Sequence, residues 1–520
     1  MKVGLASVAL SVAGLTLAGR ILGFGRSLVF SKTVGDTCLG DSYNAANSLP
    51  NVLFEIVAGG VLAGVVIPVV ARHAGAGRRL ESSQTVSALI TWTLLVLTPA
   101  GLAALAGAQV YGRAFAKADC AGSAETVAAL LVMFVPQIWL YGLAVVSAGV
   151  LQAHRQFLAA AAAPLLSSLV VISAYLIFAA SDGPGALAAL GWGTTAGVLV
   201  LALATLIPLA RLRLRVRPRL RFAAGDRPVI LTIAAAGLVG LELQQISVLL
   251  INWATQQTGD QGALTRFTWA NALYLLPYAV LVAPLLQMTF PRLAAAAEAG
   301  VDQVRAVLAE TGPVIVALAW LGAALLVATA VPVARVFVLG PGSERTAALA
   351  APIMAFAPAV VGFAMLGLAS RTLLAQHHGR AAGLTTASAW AVVIVAVLAV
   401  RPLVRPDWLV PAVAASVSLG MVVGAVVGWL LIRHSHRGAA PLGLTRPMLA
   451  AAGSAVAAAT LCAWVSRYFD EAGLVAATLG AIGLAAGCGL IFVAVLRLTA
   501  PRLLAQILRL RHAPAVESRP

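Results

Sequence analysis

Long apolar runs alternate along this chain with short polar segments that carry most of its arginines. A helix needs about 20 predominantly apolar residues to cross a hydrocarbon core of about 30 Å, and the length leaves room for about fourteen such runs. They fall near residues 5–33, 43–71, 84–110, 125–152, 157–180, 186–210, 228–253, 267–291, 306–330, 347–375, 381–400, 409–432, 447–466 and 473–496. The even alternation that marks an outer-membrane barrel is absent. The pattern predicts an all-α polytopic membrane protein, with two six-helix lobes followed by two C-terminal helices. The expected divisions are an N-terminal lobe over 1–210, a basic linker over 211–227 and a C-terminal lobe over 228–432. Spans 13 and 14 then occupy 433–496 and a tail occupies 497–520. Residues 1–18 carry only Lys2 before the first run and show no small-residue cleavage site, so this span is expected to be retained.

Composition supports this class: 61% of residues are hydrophobic and 10% charged, against about 25% charged in soluble domains. A net charge of +17 would suggest nucleic acid in a soluble chain, but here the charge sits in loops, where it reads as a topology signal. Of the 35 Lys and Arg, 23 fall in one set of alternate loops, 9 in the other and 3 (Arg20, Arg26, Arg371) within spans. That bias places both termini in the cytoplasm and implies an even number of spans. The densest block, RLRLRVRPRLR (Arg211–Arg221), joins the sixth and seventh spans and should attract anionic lipid headgroups. The tail opens as a basic amphipathic segment (RLTAPRLLAQILRLR from Arg497) expected to lie on the cytoplasmic surface. No nucleic-acid partner is expected, and the chain is expected to act as a monomer.

No catalytic constellation or metal-ligand spacing is present. His377, His378, His434 and His436 sit beside arginines in loops and read as solvated. Transport is favoured over catalysis, with no cofactor beyond coupling to the membrane potential or a cation. Pro50, Pro68, Pro136, Pro277, Pro284, Pro313 and Pro358 interrupt apolar runs. They read either as packing irregularities or as bends used in alternating access. Cys38 and Cys120 both fall in expected outward loops. An oxidising exterior would let them pair, the alternative being two unrelated thiols. Cys462 and Cys488 read as small packed residues.

Charges inside the spans carry the functional signal, because a cation at a helix centre costs about 2.5–3.5 kcal/mol on insertion scales. Arg20 and Arg26 would stand about 120° apart on a regular helix. The Gly23 and Gly25 between them suggest a bend or unwinding that aims both into one cavity, where guanidinium forks suit phosphate oxygens. Snorkelling, or pairing with Glu55 or Asp41, is the alternative. Asp41, Asn44, Asn47 and Asn51 form a polar stripe leading to Glu55. Glu242, Gln244, Gln245, Ser247 and Asn252 form a second polar region, in which Glu242 could take a cation or proton or make an interhelical hydrogen bond.

GRILGFGRS (Gly19–Ser27), followed by an acid, Leu49-Pro50-Asn51 and VAGGVLAGVVIPVV, resembles the start of MurJ/MviN-type lipid II flippases of the multidrug/oligosaccharidyl-lipid/polysaccharide exporter superfamily. ALYLLPYAVLVAPLLQMTFPRLA (Ala272–Ala294) and Arg371–Gln376 resemble the family's eighth and tenth spans. The resemblance implies that Arg20 and Arg26 line a cationic cavity for the diphosphate of an undecaprenyl-linked peptidoglycan precursor. It further implies that Asp41 matches the acid at the outer end and that spans 13 and 14 hold the lipid tail. Two positions where many members carry arginine hold Phe54/Glu55 and Ala272 here, so Arg266 or Arg371 would have to substitute. Span 11, Ala381–Val400, has no acid, unlike relatives that bind sodium there.

The reading is a lipid-linked-precursor flippase working by alternating access. Its substrate-binding residues would be Arg20, Arg26, Asp41, Asn51 and Glu55, with Glu242 and Asn252 as an ion or proton site. The rivals are a flippase for another lipid-linked oligosaccharide, a cation-coupled multidrug exporter using Glu55 or Glu242, and a non-transporting scaffold for envelope assembly.

Overall fold

A computed structural model of the chain describes residues 5–56, 63–223, 226–338, 343–435 and 445–510. The middle of the expected second span (57–62), the stretch 436–444 with His436, and tail residues 511–520 lie outside the described residues, as do 1–4, 224–225 and 339–342. Every regular element described is helical. Eleven helical segments among the described residues are long and apolar enough to cross a membrane. Helices α1 (Leu5–Thr33), α2 with α3 (Cys38–Glu55, Ala63–Gly75) and α10 (Asp226–Thr258) stand where the sequence places spans 1, 2 and 7.

The chain divides into two compact units, Met1–Thr265 and Arg266–Pro520. The N-terminal unit holds α1–α3, α4 (Arg79–Ala106), α5 (Ala108–Ala114), α6 (Ser123–Phe134), α7 (Pro136–Ala153), α8 (Phe157–Ala179), α9 (Gly183–Arg211) and α10. Helix α11 (Ala263–Pro277) begins in this unit, and a π-helical turn, Tyr278–Val282, follows it. The C-terminal unit continues through α12 (Ala283–Ala299), α13 (Val301–Phe337), α14 (Ser343–Ala355), α15 (Ala357–Ala375) and α16 (Gly379–Val400). It ends with α17 (Leu409–Ser435), α18 (Thr445–Ser466), α19 (Leu474–Thr499) and α20 (Pro501–Leu510). The dividing line therefore falls after α10, not at the basic linker. Side chains explain why α10 groups with the first unit. Asp226 at its start accepts from Arg72, His73 and Thr85, and Lys117 donates to the carbonyls of Thr255 and Gly259 at its end.

Prolines break matching spans in the two halves. Pro136 opens α7 after a break at Val135, and Pro358 lies in the first turn of α15 after a break at Phe356. These are spans 4 and 10, six apart, as an internal repeat of six would place them. Proline costs least in a helix's first turn, where its missing N–H has no partner in any case. Span 8 is disturbed differently, with Pro277 followed by the π-turn. In span 1 the structure corrects the expectation of unwinding: α1 runs unbroken through Gly23 and Gly25. A Cβ at Gly19, Gly23 or Gly25 would meet nothing within 4 Å, so these glycines serve no close helix contact.

The loop from α1 into α2 is the most tightly specified junction. Thr37 caps α2 by accepting from Gly40 N at 3.1 Å, satisfying one of the helix's orphan donors. Cys38, the first residue of α2, is joined to Cys120 by a disulfide with a Cα separation of 5.8 Å. Asp41 is fully buried and accepts from Gly262 N (2.9 Å), Thr265 N (2.9 Å) and Thr265 Oγ1 (2.8 Å). It thus sits on the first turn of α11, where an anion also meets the favourable end of the helix dipole. Gly262 has φ +82°, and a Cβ there would lie 2.5 Å from the Asp36 carbonyl, so only glycine fits the turn.

The disulfide predicts a clean alkylation pattern. In chain purified without reductant and held folded, Cys38 and Cys120 should stay unmodified until reduced, and buried Cys462 and Cys488 should become reactive only on unfolding. Closing a sequence separation of 82 residues is worth about 4–5 kcal/mol on the chain-entropy account. Cys38→Ser should therefore lower the unfolding temperature clearly; free, reactive Cys38 and Cys120 thiols in the folded chain would contradict the bond.

Candidate functional site

Helix α2 presents Asn44, Asn47, Asn51 and Glu55 at three- and four-residue steps, which on a regular helix is one face. The structure splits this stripe. Asn44 donates to Gly40 O (2.9 Å) and Thr265 Oγ1 (3.1 Å) and so belongs to the Asp41 junction. Asn47 Oδ1 is buried without a hydrogen-bond partner. Asn51 accepts from the Tyr141 hydroxyl of α7 at 3.3 Å, and Phe54 lays its ring against Tyr141 with centroids 4.5 Å apart. Glu55, one turn on, is exposed and close enough for its charge to act on Tyr141.

Arg26 completes the group from α1. Its charge reaches the hydroxyls of Tyr43, Tyr141 and Tyr175. Behind it, Tyr43 OH lies 2.9 Å from Tyr175 OH and 3.1 Å from Thr194 Oγ1, so α2, α8 and α9 meet in one hydrogen-bonded knot. Phe30 closes that knot against both tyrosine rings, at 5.0 and 5.2 Å. Apolar rings with satisfied hydroxyls make a rigid wall, which is the usual economy of buried tyrosine. The guanidinium facing it is exposed and, among the described residues, has neither a hydrogen bond nor an ion pair; the same holds for Arg20 and Glu55. An isolated cation within a span is costly, and a planar fork with five free donors is suited to phosphate or carboxylate oxygens.

The predicted residues do not all come together. Arg26, Asn51 and Glu55 gather about Tyr141. Arg20 is exposed on the same unbroken helix, six residues earlier, which is about 9 Å along its axis. Asp41 lies ten residues before Asn51, about 15 Å along α2, and is engaged in the junction with α11 described above. Glu242 is exposed and Asn252 buried on α10; about 15 Å of helix separates them, too far to ligate one ion. Among the described residues no cluster of three or more His, Cys, Asp or Glu could hold a metal. In the C-terminal unit Arg371 is half-buried, donates to Gly367 O at 3.1 Å and pairs with the Tyr278 hydroxyl on the π-turn. Arg266 is buried at the start of that unit. Sequence reasoning missed Tyr43, Tyr141 and Tyr175. Their signal was polar-tipped aromatics inside otherwise aliphatic runs.

A family model described as lipid II flippase MurJ matches residues 30–482. A probable lipid II flippase MurJ of Rhizobium meliloti is 30% identical over 303 residues, 56% of this chain and 55% of the relative. The match to a counterpart in Rhizobium tropici likewise spans about half of each protein. A lipid II flippase MurJ of Burkholderia cenocepacia is 25% identical over 504 residues, 93% of this chain and 95% of the relative. Among solved structures, a lipid II flippase MurJ in an inward closed conformation superposes with TM-score 0.74 at 15% identity, covering 94% of this chain and 98% of that one. An inward-facing multidrug resistance transporter of the MATE family gives 0.66 at 17% identity, covering 83% and 100%. The likeness to both structures shows the fold.

Two substitutions should separate the junction from the site. Asp41→Ala strands two buried N–H groups and a hydroxyl, at about 1–3 kcal/mol for each unsatisfied group, and should lower the unfolding temperature of the detergent-solubilised chain by many degrees. Arg26→Gln removes a cation that has no partner among the described residues and should leave that temperature unchanged or raise it. A large loss of stability in Arg26→Gln would show that the guanidinium is structural.

Proposed function

The chain belongs to the lipid II flippase MurJ family, and from that premise we propose that it carries an undecaprenyl-diphosphate-linked peptidoglycan precursor from the inner to the outer leaflet by alternating access. Arg26 receives the diphosphate. Asn51 and the Tyr141 hydroxyl supply neutral hydrogen-bonding groups beside it, and Arg20 is the second cation along α1. The single observation that supports this reading is an exposed Arg26, without an ion-pair or hydrogen-bond partner among the described residues, whose charge acts on the tyrosine wall from within an expected membrane span. A ligand with two anionic phosphates would offset the cost of keeping that charge there. Glu55, whose charge also acts on Tyr141, repels phosphate and attracts amines or hydroxyls, so it favours the glycan or peptide portion of the headgroup.

The apolar stretches of α18 and α19, free of charge from 447 to 496 except at Arg467, Asp470 and Glu471, are proposed to face the polyprenyl tail. The loop-charge bias of 23 to 9 supports both termini in the cytoplasm. Without an acid in span 11, the membrane potential is the proposed driving force. Moving two negative charges outward across an inside-negative 100 mV gains roughly 4.6 kcal/mol.

The test is depletion in the native host. The lipid-linked peptidoglycan precursor should accumulate on the inner leaflet, wild-type chain should clear it, and Arg20→Ala/Arg26→Ala should not. Dissipating the potential with ion gradients held should slow export. Accumulation of a different lipid-linked oligosaccharide would reassign the cargo. Loss of organic-cation efflux with normal precursor export would favour a drug exporter, and full rescue by the double variant would favour a scaffold.

A further inference from the structure

Between α9 and α10 the chain leaves helical geometry and has no regular secondary structure from Leu214 to Arg219, with a tight turn in which Val216 N donates to Leu214 O at 3.0 Å. It is laid against α4 by a ladder of side chains. Ser83 Oγ donates to Arg215 O at 2.6 Å, and Ser87 Oγ accepts from Arg217 N at 3.2 Å. Thr91 Oγ1 accepts from Arg219 N at 3.0 Å, and Trp92 Nε1 donates to Leu220 O at 3.0 Å. Ser83, Ser87 and Thr91 are spaced four apart, one above the other on a helix face, so they meet successive backbone groups of the strap. Four of the strap's backbone polar groups are thereby paired by side chains of α4.

Every second residue from Arg211 to Arg221 is arginine. Leu212, Leu214 and Phe222 pack against the core cluster of Val66, Val86, Val150 and Leu209. Arg211, Arg213, Arg215, Arg217 and Arg221 are exposed. No acid occurs from residue 211 to 225. The acids at this end of the unit are already engaged, Asp226 by Arg72 and His73 and Glu81 by Arg78 and His73. Exposed Trp92, Val216 and Leu220 (41, 44 and 57%) border the comb. Tryptophan with a satisfied N–H and an exposed ring is the side chain found at headgroup level.

We propose that the Arg211–Phe222 strap is a binding comb for anionic phospholipid headgroups of the adjoining leaflet. Its arginines reach the phosphates, while Trp92, Val216 and Leu220 meet the upper acyl region. Hydrogen bonding to α4 holds the arginines in register, so several headgroups are gathered along one edge of the N-terminal unit. The proposal goes beyond the flippase reading, since it concerns bulk lipid and not cargo.

The test uses purified full-length chain in neutral detergent, titrated with dioctanoyl phosphatidylglycerol, dioctanoyl phosphatidylcholine or glycerol 3-phosphate at 50 mM salt. Wild type should bind the phosphatidylglycerol at least tenfold more tightly than the phosphatidylcholine, and 300 mM salt should weaken that binding. Arg213→Gln/Arg215→Gln/Arg217→Gln keeps every backbone bond of the ladder and should lose at least tenfold in phosphatidylglycerol affinity; the corresponding triple lysine variant should recover most of it. Equal binding of the two lipids by wild type, or unchanged binding by the glutamine variant, would overturn the proposal. Competition by glycerol 3-phosphate at concentrations matching the lipid would also overturn it, by showing a site for soluble anions. Because the readout is lipid binding, failure here leaves the transport reading untouched.

Discussion

A guanidinium inside a membrane helix must find water, a counter-charge or a way out to the headgroups, and the N-terminal unit is organised around that constraint. Arg26 has no ion-pair or hydrogen-bond partner among the described residues. Its charge acts on the tyrosine hydroxyls of Tyr43, Tyr141 and Tyr175, and those of Tyr43 and Tyr175 are already hydrogen-bonded to one another. Glu55, whose charge also acts on Tyr141, likewise has no ion-pair partner among the described residues. Had the two formed a salt bridge, the site would be electrically closed and little would be left to recognise an anion. With both charges acting on Tyr141 and no ion pair between them, a positive and a negative position stay available in one region. That arrangement suits a headgroup carrying phosphates at one end and a zwitterionic or hydroxylated body at the other.

Such a site needs a stiff frame, because a loosely held arginine would snorkel instead. Two features supply the stiffness. The Tyr43–Tyr175–Thr194 knot ties α2 to α8 and α9, with Phe30 of α1 packed over it. At the other end of α2, Asp41 and the Cys38–Cys120 bond fix the helix start to the turn before α11 and to the loop before α6. Proline breaks stand at equivalent places in spans 4 and 10, at Pro136 of α7 and Pro358 of α15, as an internal repeat would place them.

Hydropathy made the helices legible nearly residue by residue where the apolar run and the helix coincide. Expected spans at 157–180 and 381–400 became α8 and α16 with ends shifted by one or two positions. It underestimated α10 and α13, which continue past their apolar centres through turns such as Val301–Arg305 that water can cover. Arg26 and Glu55 were visible as charges in the wrong solvent. The role of Asp41 was not visible, because its partners Gly262 and Thr265 lie more than 200 residues away in sequence. The grouping of α10 with the first unit was hidden for the same reason, since it rests on Asp226 and Lys117 meeting partners far along the chain. The regularity of α1 shows the opposite limit: two glycines within one turn permit a bend but do not compel one.

The central claim is that Arg26 binds the diphosphate of a lipid-linked precursor directly. The most direct measurement is calorimetric titration of the purified chain with lipid II, for wild type, Arg26→Lys and Arg26→Gln, each with and without competing pyrophosphate. The account predicts at least tenfold weaker binding in Arg26→Gln, an intermediate loss in Arg26→Lys, and competition by pyrophosphate that disappears with the guanidinium. Equal affinities for wild type and Arg26→Gln would contradict it.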